Sequence, residues 1–423
     1  MRAPRATRLT RPYYGWVIVA TLGLSETVSY GILAYTFGVF LGPISRDLNV
    51  PASWVTAALS ASVLTAGLIA VSVGRWVDRR GARSLMTAGS LLGSLLLLAW
   101  AQVTTFGGLL LVMVAMGAVR AMVLYEPAFT VVATWFRAYR RRALTALTFT
   151  AGFASVIFVP LAGLLSEQLG WRGTLGVFAL VMLVFAALPH ALFLRRHPHD
   201  LGLEVDGERM PAPPEPAAPL AGSVRAVLRS PHFALFALAF ALVNMVSGAL
   251  FVHLVPVLVE RGWSLTAAAS LTGLVGLMAL PGRVVFTPLG ERISPYLLTS
   301  VILGCVALGC VALWALPGSV GTWAFVILFE TGCGAITPAR AALLAETYGT
   351  GAYGTLSGML AGILAVTGAL APLAVSALQA ASGRYGPALA ALAATGVAAT
   401  LTLLITSRVF APALFPPKEP YAR

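Results

Sequence analysis

Charge is scarce in this chain. Asp, Glu, Lys and Arg make up 10% of its 423 residues, against about 25% in a soluble domain. A water-facing surface cannot be assembled from so few charges, so lipid is the expected solvent. Cysteine is nearly absent as well. Cys305, Cys310 and Cys333 all lie inside apolar runs, and no C-x-x-C or Cys/His pattern occurs, so no metal site is expected. No nucleotide-binding P-loop is present, which argues against direct ATP drive. No nucleophile, metal or cofactor constellation stands out, so neither an enzyme nor a cofactor is expected. A cleavable signal is also missing: the first apolar run, 14–40, is longer than a signal's apolar core and ends in no small-residue cleavage site. It reads as a retained span.

What the chain does have is hydrophobic residues, 58% of the total. They fall in runs long enough to cross a bilayer, which takes about 20 residues. Spans are predicted at 14–40, 52–73, 84–103, 107–136, 143–168, 173–194, 233–259, 265–285, 296–316, 319–342, 353–379 and 386–410. The backbone must satisfy its own hydrogen bonds in lipid, so these runs are helices. The expected fold is an all-α membrane protein of twelve transmembrane helices in two pseudo-symmetric six-helix bundles. A polar stretch, 196–231, contains Pro-Ala-Pro-Pro-Glu-Pro at 211–216 and reads as a cytoplasmic linker. It separates an N-terminal bundle (1–195) from a C-terminal bundle and tail (232–423).

The net charge of +13 would suggest nucleic acid in a soluble protein. Here the basic residues are nearly all arginine and sit in short loops, which is a topology signal. With both termini cytoplasmic, 23 basic residues lie on the cytoplasmic side against 4 outside, Arg340 being counted among the 23 and Arg120 being intramembrane. The expected location is a cell membrane, with arginine- and alanine-rich usage pointing to a bacterial cytoplasmic membrane. The lipid bilayer is the expected partner; nucleic acid and an obligate protein partner are not.

The halves repeat weakly. Gly170-Trp171-Arg172-Gly173 leaves span 5 and Gly383-Arg384-Tyr385-Gly386 leaves span 11. Two related bundles imply a site between them, reached alternately from each side.

The loop after span 2 reads Gly74-Arg75-Trp76-Val77-Asp78-Arg79-Arg80-Gly81-Ala82-Arg83. This resembles the signature of the major facilitator superfamily. The resemblance implies that Asp78 and Arg79 lock the cytoplasmic face in one state and that Gly74 allows close helix packing; Gly81 and Arg83 complete the motif. Tyr13-Tyr14-Gly15-Trp16-Val17, Phe37-Gly38-Val39-Phe40 and Arg141-Arg142-Ala143-Leu144-Thr145 are similar to the monocarboxylate-transporter and oxalate:formate-antiporter branches. Those branches carry basic residues in spans 1, 8 or 11 at positions where this chain has none.

Five ionisable residues lie inside apolar runs: Glu26, Arg120, Glu126, His253 and Glu330. A charge at the bilayer centre costs about 2.5–3.5 kcal/mol even on the lenient scale, so each should face a cavity or a partner. They fall on spans 1, 4, 7 and 10, which line the central cavity in the resembled fold. Glu126 is six residues past Arg120, about 9 Å along a straight helix and about 120° around it. Glu26 is therefore the expected partner of Arg120, which would otherwise hold an anionic group of the substrate. Glu126 and Glu330 are candidate proton carriers, and His253 a candidate gate or proton site. Tyr30, Tyr35, Tyr125 and Asn244 are candidate hydrogen-bonding groups. The expected function is secondary transport of a small organic solute, an organic anion coupled to protons. The alternatives are a proton-driven exporter of cationic or amphipathic compounds, and a membrane sensor without flux.

Overall fold

The computed structural model describes residues 13–207, 224–264 and 293–414, with parts of 265–292. Among the described residues the chain is helical and contains no strand. Ten helical runs are long and apolar enough to cross a membrane. One of them, Arg140–Phe193, has 54 residues, too many for one crossing. Gly170, at φ 68° and ψ 170°, breaks it into spans 5 and 6. Eleven crossings result, and the expected eighth, 265–285, lies largely outside the described residues. The N-terminal arginines, residues 208–223 and the residues after 414 lie outside them too.

Local sequence sets the ends of the spans. Thr105, Ser230 and Ser294 accept hydrogen bonds from the backbone N–H of Gly108, Phe233 and Leu297, at 3.2, 3.1 and 3.3 Å. These are N-caps, and Pro231 and Pro295 occupy first-turn positions where no N–H is needed. Two spans are irregular in their middles. Span 1 runs Tyr14–Tyr30, then a π-helical turn Gly31–Tyr35, then Phe37–Asp47. Span 4 breaks at Leu124, which is extended at φ −88° and ψ −169°, between Phe106–Val123 and Tyr125–Trp135.

One apolar core fills the half of the N-terminal bundle away from the linker, around Phe40, Trp100, Met113 and Phe178. A second joins the linker-side half of that bundle, around Leu22, Phe129 and Trp135, to the C-terminal bundle, around Phe236, Phe325 and Leu356. The bundles therefore share a core on the linker side.

The start of span 1 is clasped to the ends of its neighbours. The Tyr13 hydroxyl donates to the Trp135 carbonyl and the Tyr14 hydroxyl to the Phe193 carbonyl, both at 2.9 Å. Gly15 lies so close to Phe136 that a Cβ would sit 2.7 Å from its ring. The first part of the linker is packed rather than merely spanning. The Asp206 carboxylate accepts from the N–H groups of Arg137 and Ala138, at 3.1 and 2.7 Å, and so caps the approach to span 5.

Candidate functional site

The motif after span 2 meets the start of span 11. Asp78 accepts from the N–H groups of Gly354 and Thr355, both at 2.8 Å, and from the Thr355 hydroxyl at 2.7 Å. Gly354 and Thr355 lie in the first turn of Tyr353–Ser382, where N–H groups lack helical partners and the helix dipole favours an anion. Asp78 is thus an N-cap supplied by the other bundle. Such proximity requires Gly74, because a Cβ there would lie 1.9 Å from the Gly354 carbonyl oxygen. Gly358 continues the crossing, its Cβ position 2.3 Å from the Ala70 carbonyl oxygen.

The other motif residues act within the N-terminal bundle. Arg79 is exposed, and its carbonyl accepts from Arg196 at 2.6 Å. No partner in the C-terminal bundle is described for its guanidinium, so on this side Asp78 carries the contact. Gly81, at φ 78°, ends span 2 against the Arg196 side chain. Arg83 donates to the Ala191 carbonyl at 2.6 and 3.0 Å, tying span 3 to the end of span 6.

Two further contacts join the bundles on this side. Arg141 pairs with Glu346 in a two-pronged bridge, both bonds at 2.8 Å. Arg340 donates to Glu126 at 2.8 Å, and the Ser357 hydroxyl donates to the other Glu126 oxygen. Arg340, expected on the cytoplasmic side at the end of span 319–342, lies inside the helix Gly318–Tyr348, which continues past the expected end.

The interior charges are arranged differently from the expected pairing. Arg120 donates to the Leu33 carbonyl at 2.6 Å, within the π-helical turn of span 1. Widened turns of this kind open backbone carbonyls to outside partners. Glu26 is fully buried, and neither carboxylate oxygen has a partner among the described residues. The expected Arg120–Glu26 pair is therefore not made. Glu126 does not partner Arg120 either; past the break at Leu124 it meets Arg340 and Ser357 of the other bundle. Tyr30 packs on Tyr125, ring centroids 4.4 Å apart.

In the C-terminal bundle, Asn244 donates to the Leu364 carbonyl at 2.8 Å. His253 bonds to the Pro372 carbonyl, 3.0 Å, and the Tyr385 hydroxyl, 3.2 Å. Both residues tie span 7 to span 11 or the turn that follows it. Glu330 is buried on span 10, one turn before Cys333. A cavity of about 200 Å³ opens beside Asn244. Asn244, Ser247, Cys333, Thr337 and Arg340 give it polar walls, and Phe240 and Leu364 apolar ones. Among its described lining residues Arg340 is the only charged one.

Residues 24–372 match the pattern of the Major Facilitator Superfamily. The chain belongs to that superfamily. It is 25% identical over 351 residues to monocarboxylate transporter 13 of Bos taurus, covering 80% of this chain and 76% of that one. It is 29% identical over 384 residues to monocarboxylate transporter 11 of Mus musculus, covering 89% and 80%. An uncharacterized MFS-type transporter, YcxA of Bacillus subtilis (strain 168), is 23% identical over 354 residues, covering 79% and 81%. In fold it is similar to the Escherichia coli fucose:proton symporter FucP, with TM-score 0.71 at 16% identity, covering 93% of this chain and 99% of FucP. The human organic anion transporter MFSD10 gives TM-score 0.68 at 15% identity, covering 93% and 100%. The chain is thus a multi-pass membrane protein and a secondary transporter of small organic solutes, not an enzyme.

Proposed function

We propose that this transporter moves a small organic anion by alternating access, coupled to protons, with its linker side facing the cytoplasm. The observation that carries the anion reading is Arg340, the one charged side chain among the described walls of the polar cavity. A guanidinium presents a planar fork that matches a carboxylate. Asn244, Ser247 and Thr337 supply neutral polar groups beside it. The monocarboxylate transporters among the relatives support the same class of cargo. Alternating access is supported by the Asp78, Arg141 and Arg340 contacts, which gather on one side of the molecule. The arginine asymmetry supports a cytoplasmic assignment for that side.

Proton coupling rests on Glu26. A carboxylate buried without a partner is costly in charged form, and the proton removes that cost. Glu26 therefore holds a proton in this conformation and releases it when the site is hydrated. Glu330 is the second candidate carrier, and His253 a candidate proton site on span 7. Glu26→Gln fixes the neutral form, so uptake driven by an inward proton gradient is expected to fall to the ungraded rate, while exchange of labelled for unlabelled cargo continues. Radiolabelled flux in proteoliposomes, with and without a pH gradient, checks this. Gradient-driven uptake at the wild-type rate in Glu26→Gln removes Glu26 from the coupling.

The cargo class is tested by uptake of a carboxylate panel into proteoliposomes. Uptake is expected to drop at least about tenfold in Arg340→Ala, the loss of one charge-assisted, partly buried contact. A carboxylate flux indifferent to Arg340 contradicts the reading. Cys333 gives an independent check, since it lines the same cavity. In a Cys305→Ser, Cys310→Ser background, a small thiol reagent is expected to label Cys333 more slowly when the transported carboxylate is present.

A further inference from the structure

Among the described residues, three polar contacts join the bundles on the linker side: Asp78 on span 11, Arg141 with Glu346, and Glu126 with Arg340. They are not equivalent. Only the third includes a residue that borders the polar cavity. Its side chains are partly exposed, Arg340 by 15% and Glu126 by 24%, so the bridge can be reached from that cavity. The other two cannot sense what the cavity contains.

We propose that Arg340 is shared between Glu126 and the carboxylate of the cargo, so that loading the cavity releases this one inter-bundle contact. This rests on the organic-anion reading. Arg340 has a single fork, and a cargo carboxylate offers it the same planar acceptor that Glu126 does. When the cargo takes the fork, Glu126 is left in a half-buried site facing the Ser357 hydroxyl, with Tyr353 on span 11 and Glu26 and Tyr30 on span 1 as its other titratable neighbours. Arg140, at the start of span 5, is the remaining cation near Tyr353. None of these replaces Arg340 as a counter-ion in direct contact with Glu126 among the described residues. Loading therefore favours separation of spans 4 and 10. Asp78, the Arg141–Glu346 bridge and the Ser357–Glu126 hydrogen bond then remain as the polar contacts across the linker side among the described residues.

The test uses the full chain in nanodiscs with labelled lactate and phenylacetate as probes. Spin labels on Ala138→Cys and Gly351→Cys, both exposed on the linker side of opposite bundles, report separation in a background with Cys305, Cys310 and Cys333 replaced by Ser. Glu126→Gln removes the competitor, so probe affinity is expected to rise about tenfold. The inter-label distance should widen without any probe. Unchanged affinity and distance in Glu126→Gln, with binding still lost in Arg340→Ala, overturns the sharing and leaves the anion reading standing. Failure of both probes and of the wider carboxylate panel to bind the wild type overturns both.

Discussion

Gly74→Val is expected to lower transport by more than about tenfold and to leave the linker side open. Overpacking of a tight contact costs about 1–3 kcal/mol, and here the atom met is backbone, which cannot rotate away. The positions along the crossing of spans 2 and 11 make this a graded test. A Cβ at Gly74 would lie 1.9 Å from the Gly354 carbonyl oxygen, one at Gly358 would lie 2.3 Å from the Ala70 carbonyl oxygen, and one at Gly362 would lie 3.1 Å from the Gly67 carbonyl oxygen. Alanine substitutions should therefore damage transport in the order Gly74, Gly358, Gly362, with the last close to wild type. The expected readout is flux together with the Ala138–Gly351 label distance. A flat response across the three positions would mean that the two helices do not approach this closely in any state the transport cycle needs.

Asp78→Ala should shift the balance between linker-side-closed and linker-side-open forms by about thirtyfold toward open. The carboxylate accepts two backbone N–H bonds and one hydroxyl bond at a helix N-terminus. Losing such a cap, with charge, costs about 2 kcal/mol, and every 1.4 kcal/mol is tenfold. Asp78→Asn keeps an acceptor and should lie between the two. The same label pair measures the shift, and proteoliposome flux should fall in parallel because the closed form becomes rare. Wild-type distances in Asp78→Ala would show that the cap is incidental and that the glycine crossing alone holds the face shut.

The spacing of apolar runs predicted the described spans, and the signature after span 2 marked the segment that meets span 11 through Asp78. Both depend on local pattern, which a sequence displays directly. The partner of Asp78 was not legible, because it lies 276 residues away in the chain and consists of backbone N–H groups. Arg340 falls within the expected span 319–342, but its partner Glu126 lies 214 residues away and was not legible for the same reason. The Arg120–Glu26 pairing failed because it assumed straight helices. The π-helical turn at Gly31–Tyr35 and the break at Leu124 change which way each side chain faces, and neither carries a strong sequence signal. Pro127 sits three residues after that break and was the one available hint of a bend. Burial of Glu26 was expected from its place in an apolar run, whereas its lack of a partner required the fold.

The most direct test of proton-coupled anion transport is proton movement into proteoliposomes loaded with a pH-sensitive dye, because one proton with one carboxylate carries no net charge. The challenges are carboxylates, neutral metabolites and lipophilic cations, each with and without a pH gradient. Lumenal acidification on carboxylate addition, enlarged by an inward proton gradient and lost in Arg340→Ala, is the result the account predicts. Proton fluxes confined to lipophilic cations, surviving Arg340→Ala and lost in Glu26→Gln or Glu330→Gln, would contradict it and identify a proton-driven exporter of cationic compounds.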